Sequence, residues 1–436
     1  MQHQRIAGFG VSEGFGQAKA LMSAPASVQK QVLSLLYSPA RGAGLTILRN
    51  EISADAGFTI EPKAPRSPNA KPSYLTLAQV DQDQGQLWFA KQIKADYGVS
   101  DVFADAWSAP AFMKTNGSAI NGGTLCGVPG ASCTSGDWRQ AYADYLVRYA
   151  SDYAAAGVPL SYVGPENEGN LRVPQDSMIL SPAQSAGFMA ILGATLARSG
   201  LSTRAECCAA ISWSYARKYA AALANDKAAS TATALFTSHG YFAAPASPLE
   251  GWSRPVWETE WAPFGFAPWD AAWDDGSQSS GFAWAQNIYT GLTAANLGAF
   301  LYLWGASTTS MTGPNTGLVE VKGDTVAPSG RLWAFASYSR FIRPGAVRVG
   351  TTTRRARLEA AAFRNRDGSI AVVVLNRTHS RQAASFALRG LGRPHVTPYL
   401  TDRTHQLSAQ TPIAVSHGAF TATVPPRALV TYDIRS

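Results

Sequence analysis

Cysteine and histidine are scarce in this chain, four and six of 436 residues. At this length four cysteines do not make a disulfide scaffold. The histidines (His3, His239, His379, His395, His405 and His417) are scattered, with no pair at ligand spacing, so no metal centre is expected and no cofactor is implied. Long apolar runs are missing too. None approaches the roughly 20 residues that cross a bilayer, which excludes a spanning helix and a membrane partner. No Gly-rich phosphate turn follows the first strand pattern, which counts against a dinucleotide fold. A leader pattern is also absent, because Met1 to Arg5 is polar and Gly8-Phe9-Gly10 follows at once. The chain therefore reads as the mature form of a secreted, extracellular protein.

What is present is an ordinary globular composition, 46% hydrophobic, with a formal charge of +8. The basic residues do not interleave with aromatics in any nucleic-acid module, so nucleic acid is not an expected partner, whereas an acidic polysaccharide is compatible. The length exceeds one core and predicts two domains; a monomer is expected. Cys126 and Cys133 bracket a Gly/Pro/Ser loop that a bridge would staple, which suits an oxidising compartment. The adjacent Cys207 and Cys208 read as two buried free thiols.

From about residue 28 to 340, helical and strand patterns alternate. Val28–Leu36, Gln86–Tyr97, Asp137–Ala156, Ser185–Ser199, Tyr215–Asn225 and Gly281–Asn296 carry helix-like stripes. Gly44–Arg49, Val99–Trp107, Leu160–Gly164, Ala205–Ile211, Ala232–Ser238, Pro255–Trp261 and Ala299–Trp304 read as strands. Seven or eight such units suit a (β/α)8 TIM barrel better than a doubly wound sheet. After Arg343 only short strands with turn signals follow, beginning with a hairpin through Asp367-Gly368, so an antiparallel β-sandwich is expected. The predicted division is a barrel over 11–340 and a side domain of 1–10 plus 341–436, joined by the N-terminal strand.

Two strand ends carry acids: Tyr162-Val-Gly-Pro-Glu166-Asn167-Glu168-Gly169 and Trp257-Glu258-Thr259-Glu260-Trp261. Carboxylates on separated barrel strands converge across the mouth, as glycoside cleavage requires: one protonates the leaving oxygen, the other attacks carbon or activates water. A strand-end Glu also caps a helix or pairs with Arg. Company decides here, since Trp107, Tyr241 and Trp304 fall at other strand ends, and aromatic faces suit the C–H faces of sugars.

At these residues the chain resembles glycoside hydrolase family 30. Asn167-Glu168 resembles the Asn-Glu pair of the large (β/α)8 glycosidase clan, and Thr259-Glu260 is similar to the family's nucleophile strand. Trp107-Ser-Ala-Pro110, Met113-Lys-Thr-Asn-Gly117 and Gly8-Phe-Gly10 match it closely. Val11-Ser-Glu-Gly-Phe15, Ala43–Asn50, Gly123–Gly127 with Cys133, and Gly136–Tyr145 resemble its mainly fungal xylanase branch, subfamily 7. The resemblance spans the whole chain. It implies a retaining β-1,4-xylanase, endo- or exo-acting, in which Glu168 is acid/base and Glu260 nucleophile. It further implies that Asn167 holds the sugar 2-hydroxyl, Tyr241 bonds the nucleophile, and Arg49 sits beside Glu260 and keeps it ionised. Trp107 and Trp304 would wall the cleaved-sugar subsite, and Asn116 would join the substrate contacts. Alternatives are a β-glucosidase or β-1,6-glucanase of the same family, or a barrel that binds carbohydrate without turnover.

The chain departs from the family at two places. Gly169 stands where Pro is usual after the Asn-Glu pair, and is expected to loosen that loop. Glu51 stands about where members that recognise glucuronate carry Arg, and a carboxylate there is expected to repel that side group. The insert Ser53–Pro72 is the candidate for a wall closing one end of the cleft. Asn116-Gly-Ser118 and Asn376-Arg-Thr378 fit the N-glycosylation pattern.

Overall fold

The computed structural model describes residues 2–263, 269–308, 316–352, 357–388 and 394–435. The chain opens with β1 (Gln2–Arg5) and then runs through eight staves: β2 (Gly8–Ser12), β3 (Ile47–Ile52), β4 (Asp101–Ala106), β5 (Tyr162–Gly164), β6 (Arg204–Ala210), β7 (Thr233–His239), β8 (Val256–Glu260) and β9 (Ala299–Leu303). The staves are parallel, and β9 returns to pair with β2, Gly8 opposite Ala299, so the barrel closes. Helices cover it outside at Ala26–Tyr37, Gln86–Tyr97, Arg139–Ala155, Pro182–Ser199, Trp213–Asn225, Gly281–Thr293 and Gly330–Ser339. The stretch from β7 to β8 crosses as a loop.

Local signals set these boundaries. Ser181 accepts the N–H of Gln184 while Gln184 returns a carbonyl to Ser181 N–H; Pro182 opens the helix and Gly200 ends it at φ 75°. The helix Arg139–Ala155 buries a stripe of Tyr142, Tyr145, Tyr149 and Tyr153 against the barrel. Their hydroxyls find partners: Tyr142 donates to Pro165 O at 2.6 Å, one residue before Glu166. The helix thus anchors the end of β5 as well as covering it.

Beyond β9 lie a small sheet of β10 (Ala306–Thr308), β11 (Val319–Lys322) and β12 (Thr325–Pro328), then the side domain. Its strands are β13 (Val347–Val349), β14 (Leu358–Arg364), β15 (Ile370–Asn376), β16 (Gln382–Ala387), β17 (His395–Thr401), β18 (Ser408–Ala409), β19 (Ala419–Val424) and β20 (Ala428–Arg435). Six of these strands join β1 in one seven-stranded sheet in the order β1-β13-β14-β15-β20-β17-β18; β16 and β19 form a two-stranded second layer. The apolar run of β15 follows from having both faces covered. Ala371, Val373 and Leu375 pack toward the barrel helices, while Val372 and Val374 pack into the sandwich.

The crossing from side sheet to barrel lies between Arg5 and Gly8, so residues 8–10 are barrel, not side domain as expected. The bridge Cys126–Cys133 is present. Cys207 and Cys208 are bridged to each other as well, which corrects the reading of two free thiols. Adjacent cysteines share no patterning signal that separates the two states. Among the described residues no helix is long and apolar enough to cross a membrane.

Candidate active site

Arg49 is the hub. It projects from β3 into the barrel, fully buried, and a buried guanidinium must be neutralised. Nε lies 3.1 Å from both oxygens of Asp105 on the next stave, and Nη2 lies 2.7 Å from Asp105 Oδ2. Nη2 also donates to Asn167 Oδ1 at 2.6 Å, and Nη1 donates to Glu260 Oε2. Arg49 Cζ lies over the Trp107 ring, 4.5 Å from its centroid. One cation therefore joins the ends of four staves, β3, β4, β5 and β8. The two carboxylates in turn hold the guanidinium charged.

Glu260, last residue of β8, accepts from Tyr241 Oη at 3.1 Å on its other oxygen. Facing it, Glu168 stands on the loop beyond β5 with φ 51° and a side chain 15% exposed. Burial raises its pKa above the usual carboxylate range. His239 sits between the two acids: Nδ1 is 2.8 Å from Glu168 Oε1 and Nε2 3.9 Å from Glu260 Oε2. Burial pushes the His239 pKa down to about 4, so the ring is neutral. Its Nε2 faces Arg49 Nη2 at 3.5 Å, and since arginine only donates, we assign the ring hydrogen to Nδ1, directed at Glu168. One oxygen of Glu168, one ring nitrogen of His239 and one oxygen of Glu260 all lie within 4.8 Å of one another.

The neighbouring acids are a different population. Glu166 and Glu258 are fully buried, and burial raises both, Glu166 to about 8. Glu258 Oε1 accepts the N–H of Glu260 at 3.1 Å. A Cβ at Gly169 would lie 2.0 Å from Glu166 Oε2, so a side chain there would displace the Glu166 carboxyl, and glycine serves close approach at this position.

Of the residues expected in the site, Arg49, Trp107, Asn167, Glu168, Tyr241 and Glu260 come together. Trp304 follows β9 and reaches the cluster through Phe15, whose ring meets Trp107 at 5.2 Å and Trp304 at 6.4 Å, both edge-on. Asn116 does not join. Its Nδ2 donates to Ile120 O and Gly122 O, both at 3.1 Å, so the side chain shapes its own turn. Asn376 is fully buried with Nδ2 donating to three carbonyls, which closes that sequon to a glycan. Glu51 is 3% exposed, accepts the Phe15 N–H at 2.6 Å and is pushed up to about 8 by burial. The repulsion of a glucuronate expected of Glu51 would have to come from a carboxyl that is buried and held by the Phe15 backbone. The insert after Ser53 is pinned at its start by Asp176, which takes the N–H groups of Ala54 and Asp55.

Asp105, His239 and Phe15 were not singled out from sequence. Asp105 lies two residues before Trp107, and His239 two before Tyr241; the strand period of two was the available signal. Metal-ligand types do cluster here, but Arg49 and Tyr241 already engage Glu260, and both sulfurs near Glu166 are bridged. Neither set offers three free donors. What the pair can do is supply a proton from one side and a fixed carboxylate from the other.

Known proteins give an independent comparison. The "Glycosyl hydrolase family 30 beta sandwich domain" matches residues 345–432, and "O-Glycosyl hydrolase family 30" matches residues 74–246. The catalytic domain of xylanase C of family 30 from Talaromyces cellulolyticus superposes with a TM-score of 0.93 at 43% identity, covering 100% of this chain and 98% of that one. A subfamily 8 xylanase from Clostridium acetobutylicum has a TM-score of 0.79 at 21% identity (100% and 97% covered), a likeness of fold. The lysosomal acid glucosylceramidase of Mus musculus is 24% identical over 397 residues, 86% of this chain and 75% of that protein.

Proposed function

The chain belongs to glycosyl hydrolase family 30, as a glycoside hydrolase, and from that premise we propose that it is a retaining β-1,4-xylanase acting by double displacement. The observation that supports the mechanism is that one oxygen of Glu168 and one of Glu260 lie within 4.8 Å of each other. Retaining pairs stand about 5–5.5 Å apart, whereas inverting pairs leave about 6.5–9.5 Å for a water.

In this reading Glu168, whose pKa is raised by burial, protonates the glycosidic oxygen while Glu260 attacks the anomeric carbon from the opposite face. The aglycone departs and a glycosyl ester on Glu260 remains. Glu168, now a carboxylate, takes a proton from water, which attacks the same carbon and releases the sugar with its configuration retained. Arg49 and Tyr241 hold Glu260 in line. Because Arg49 takes Asn167 Oδ1, the amide presents Nδ2 as a donor, which suits a sugar 2-hydroxyl. Neutral His239 steadies the Glu168 carboxyl in both steps without adding charge. Trp107, Phe15 and Trp304 supply apolar walls.

The xylan assignment draws on the Talaromyces likeness; the glucosylceramidase likeness supports a β-glucosidase as the second reading. Proton NMR of xylan hydrolysis should show the β-anomer forming first, with xylo-oligosaccharide products. An α-anomer first, or turnover confined to a β-glucoside or β-1,6-glucan, overturns the reading.

A further inference from the structure

We propose that the bridge between Cys207 and Cys208 is a positioning element for the acid/base Glu168; this rests on the role given to Glu168 above. The bridge closes a small ring at the end of β6, and Ala209 leaves it with φ 44°. Ala209 O accepts the N–H of Glu168 at 2.9 Å. Ala209 N–H donates to Thr237 Oγ1 at 2.9 Å, whose own hydrogen goes to Glu206. The next two residues repeat the arrangement: Ser238 Oγ donates to Ala210 O at 3.1 Å, and Ile211 N–H donates to Asn170 Oδ1 at 3.3 Å.

Residues 207–211 are thus tied on one side to the loop bearing Glu168 and Asn170. On the other side they are tied to Thr237 and Ser238, which precede His239. Both holds on Glu168, its N–H and its carboxyl, therefore take their reference from the end of β6. Glu168 needs such holds, because a non-glycine residue keeps a left-handed backbone only where its surroundings fix it.

A stability role explains the bridge less well. Disulfide stabilisation grows with the loop closed, and adjacent cysteines close the smallest. The pair is fully buried, so it is no surface staple either. Glu166 Oε1 packs 3.6 Å from Cys207 Sγ. Two thiols there would add S–H donors beside a buried acid and free the turn that aims Ala209 O.

The test uses the full chain with Cys207→Ser/Cys208→Ser, and with Cys207→Ala/Cys208→Ala should the serine pair fail to fold. Two substrates are compared, xylan and a 2,4-dinitrophenyl xylobioside, whose leaving group departs without a proton. Displacing an acid by about 1 Å costs up to ~100-fold. We expect kcat on xylan to fall at least tenfold with KM little changed, glycosylation by the dinitrophenyl substrate to stay within about threefold, and azide to restore turnover. An equal fall on both substrates, or none on xylan, overturns the proposal. Glu168→Gln is the control. If it lacks the same split between substrates, the acid/base reading has failed; if only the cysteine pair lacks it, the positioning role alone has failed.

Discussion

The ends of β5 and β8 each carry two glutamates two residues apart, and they use them differently. On β8 both acids belong to the strand, Glu258 fully buried in its interior and Glu260 at its end. On β5 the strand stops at Gly164, so Glu166 and Glu168 stand on the chain beyond it. Glu260 inherits its place from the sheet and adds Arg49 and Tyr241. Glu168 has no sheet beneath it and depends on bonds from Ala209, His239 and its own loop. The lesson is an asymmetry. In the proposed mechanism the group that must meet one carbon atom is built into the barrel wall, whereas the group that serves as acid and then as base is held by neighbours, and neighbours can be changed.

Paired substitutions sharpen that contrast. The largest effect is expected from Glu260→Gln, a loss of at least ~10⁴-fold in kcat on any β-glycoside, because in the proposed mechanism no other group forms the ester. Glu258→Gln should stay within about tenfold, since an amide oxygen still accepts the Glu260 N–H. A fall as deep as that of Glu260→Gln would erase the distinction between strand end and strand interior. Next is Glu168→Gln, expected to cost ~10²–10³-fold on xylan and little on a dinitrophenyl glycoside, with Glu166→Gln milder on both. Equal profiles for the two β5 variants would end the comparison on that side.

The smallest expected effect is on stability against pH. Burial raises Glu51 and Glu166 from 4.5 to about 8. Between those values the unfolded chain releases two protons that the folded chain keeps, so stability falls as pH rises. His239 acts in the opposite sense, with a folded value of about 4 against 6.5; it weakens the fold as pH drops through that window. Above pH 6.5 the histidine adds no further change, and the raised acids, Glu61 at about 7 among them, set the slope. Calorimetry should show Tm falling by about 2–5 °C from pH 6.5 to 8, and Glu166→Gln should flatten part of that slope. A Tm that rises across the interval contradicts it.

Much of this was legible in the sequence. Strand and helix periods alternate cleanly because each stave is buried on both faces while each helix is buried on one. The two acids could be picked out because Asn167 and Thr259 flank them. What failed was everything that depends on register between staves or on depth. Asp105 meets Arg49 only because β3 and β4 pair with Glu51 opposite Asp105, which no local pattern specifies. Glu51, Asn116 and Asn376 look like surface polar residues in one dimension. The first is sealed beneath Phe15, the second spent on its own turn, the third locked into the side domain. Gly169 resembles a hinge until the Glu166 carboxyl is seen against it.

The crossing at Ile6 and Ala7 has a thermodynamic consequence. The first strand of the chain is hydrogen-bonded to β13 of the side sheet, and two residues later the same chain becomes the first stave of the barrel. Thr431 of the side sheet donates to Ser337 O on the last barrel helix at 2.6 Å, and Trp273 Nε1 reaches Arg427 O at 2.8 Å. These contacts make the side domain one wall of the barrel's own packing, and the two are expected to unfold together. Cut away at residue 340, it would strand an unpaired edge at one end of the barrel and uncover apolar helix faces along its flank. Heat should find a single transition, with no temperature at which a lone barrel survives its partner.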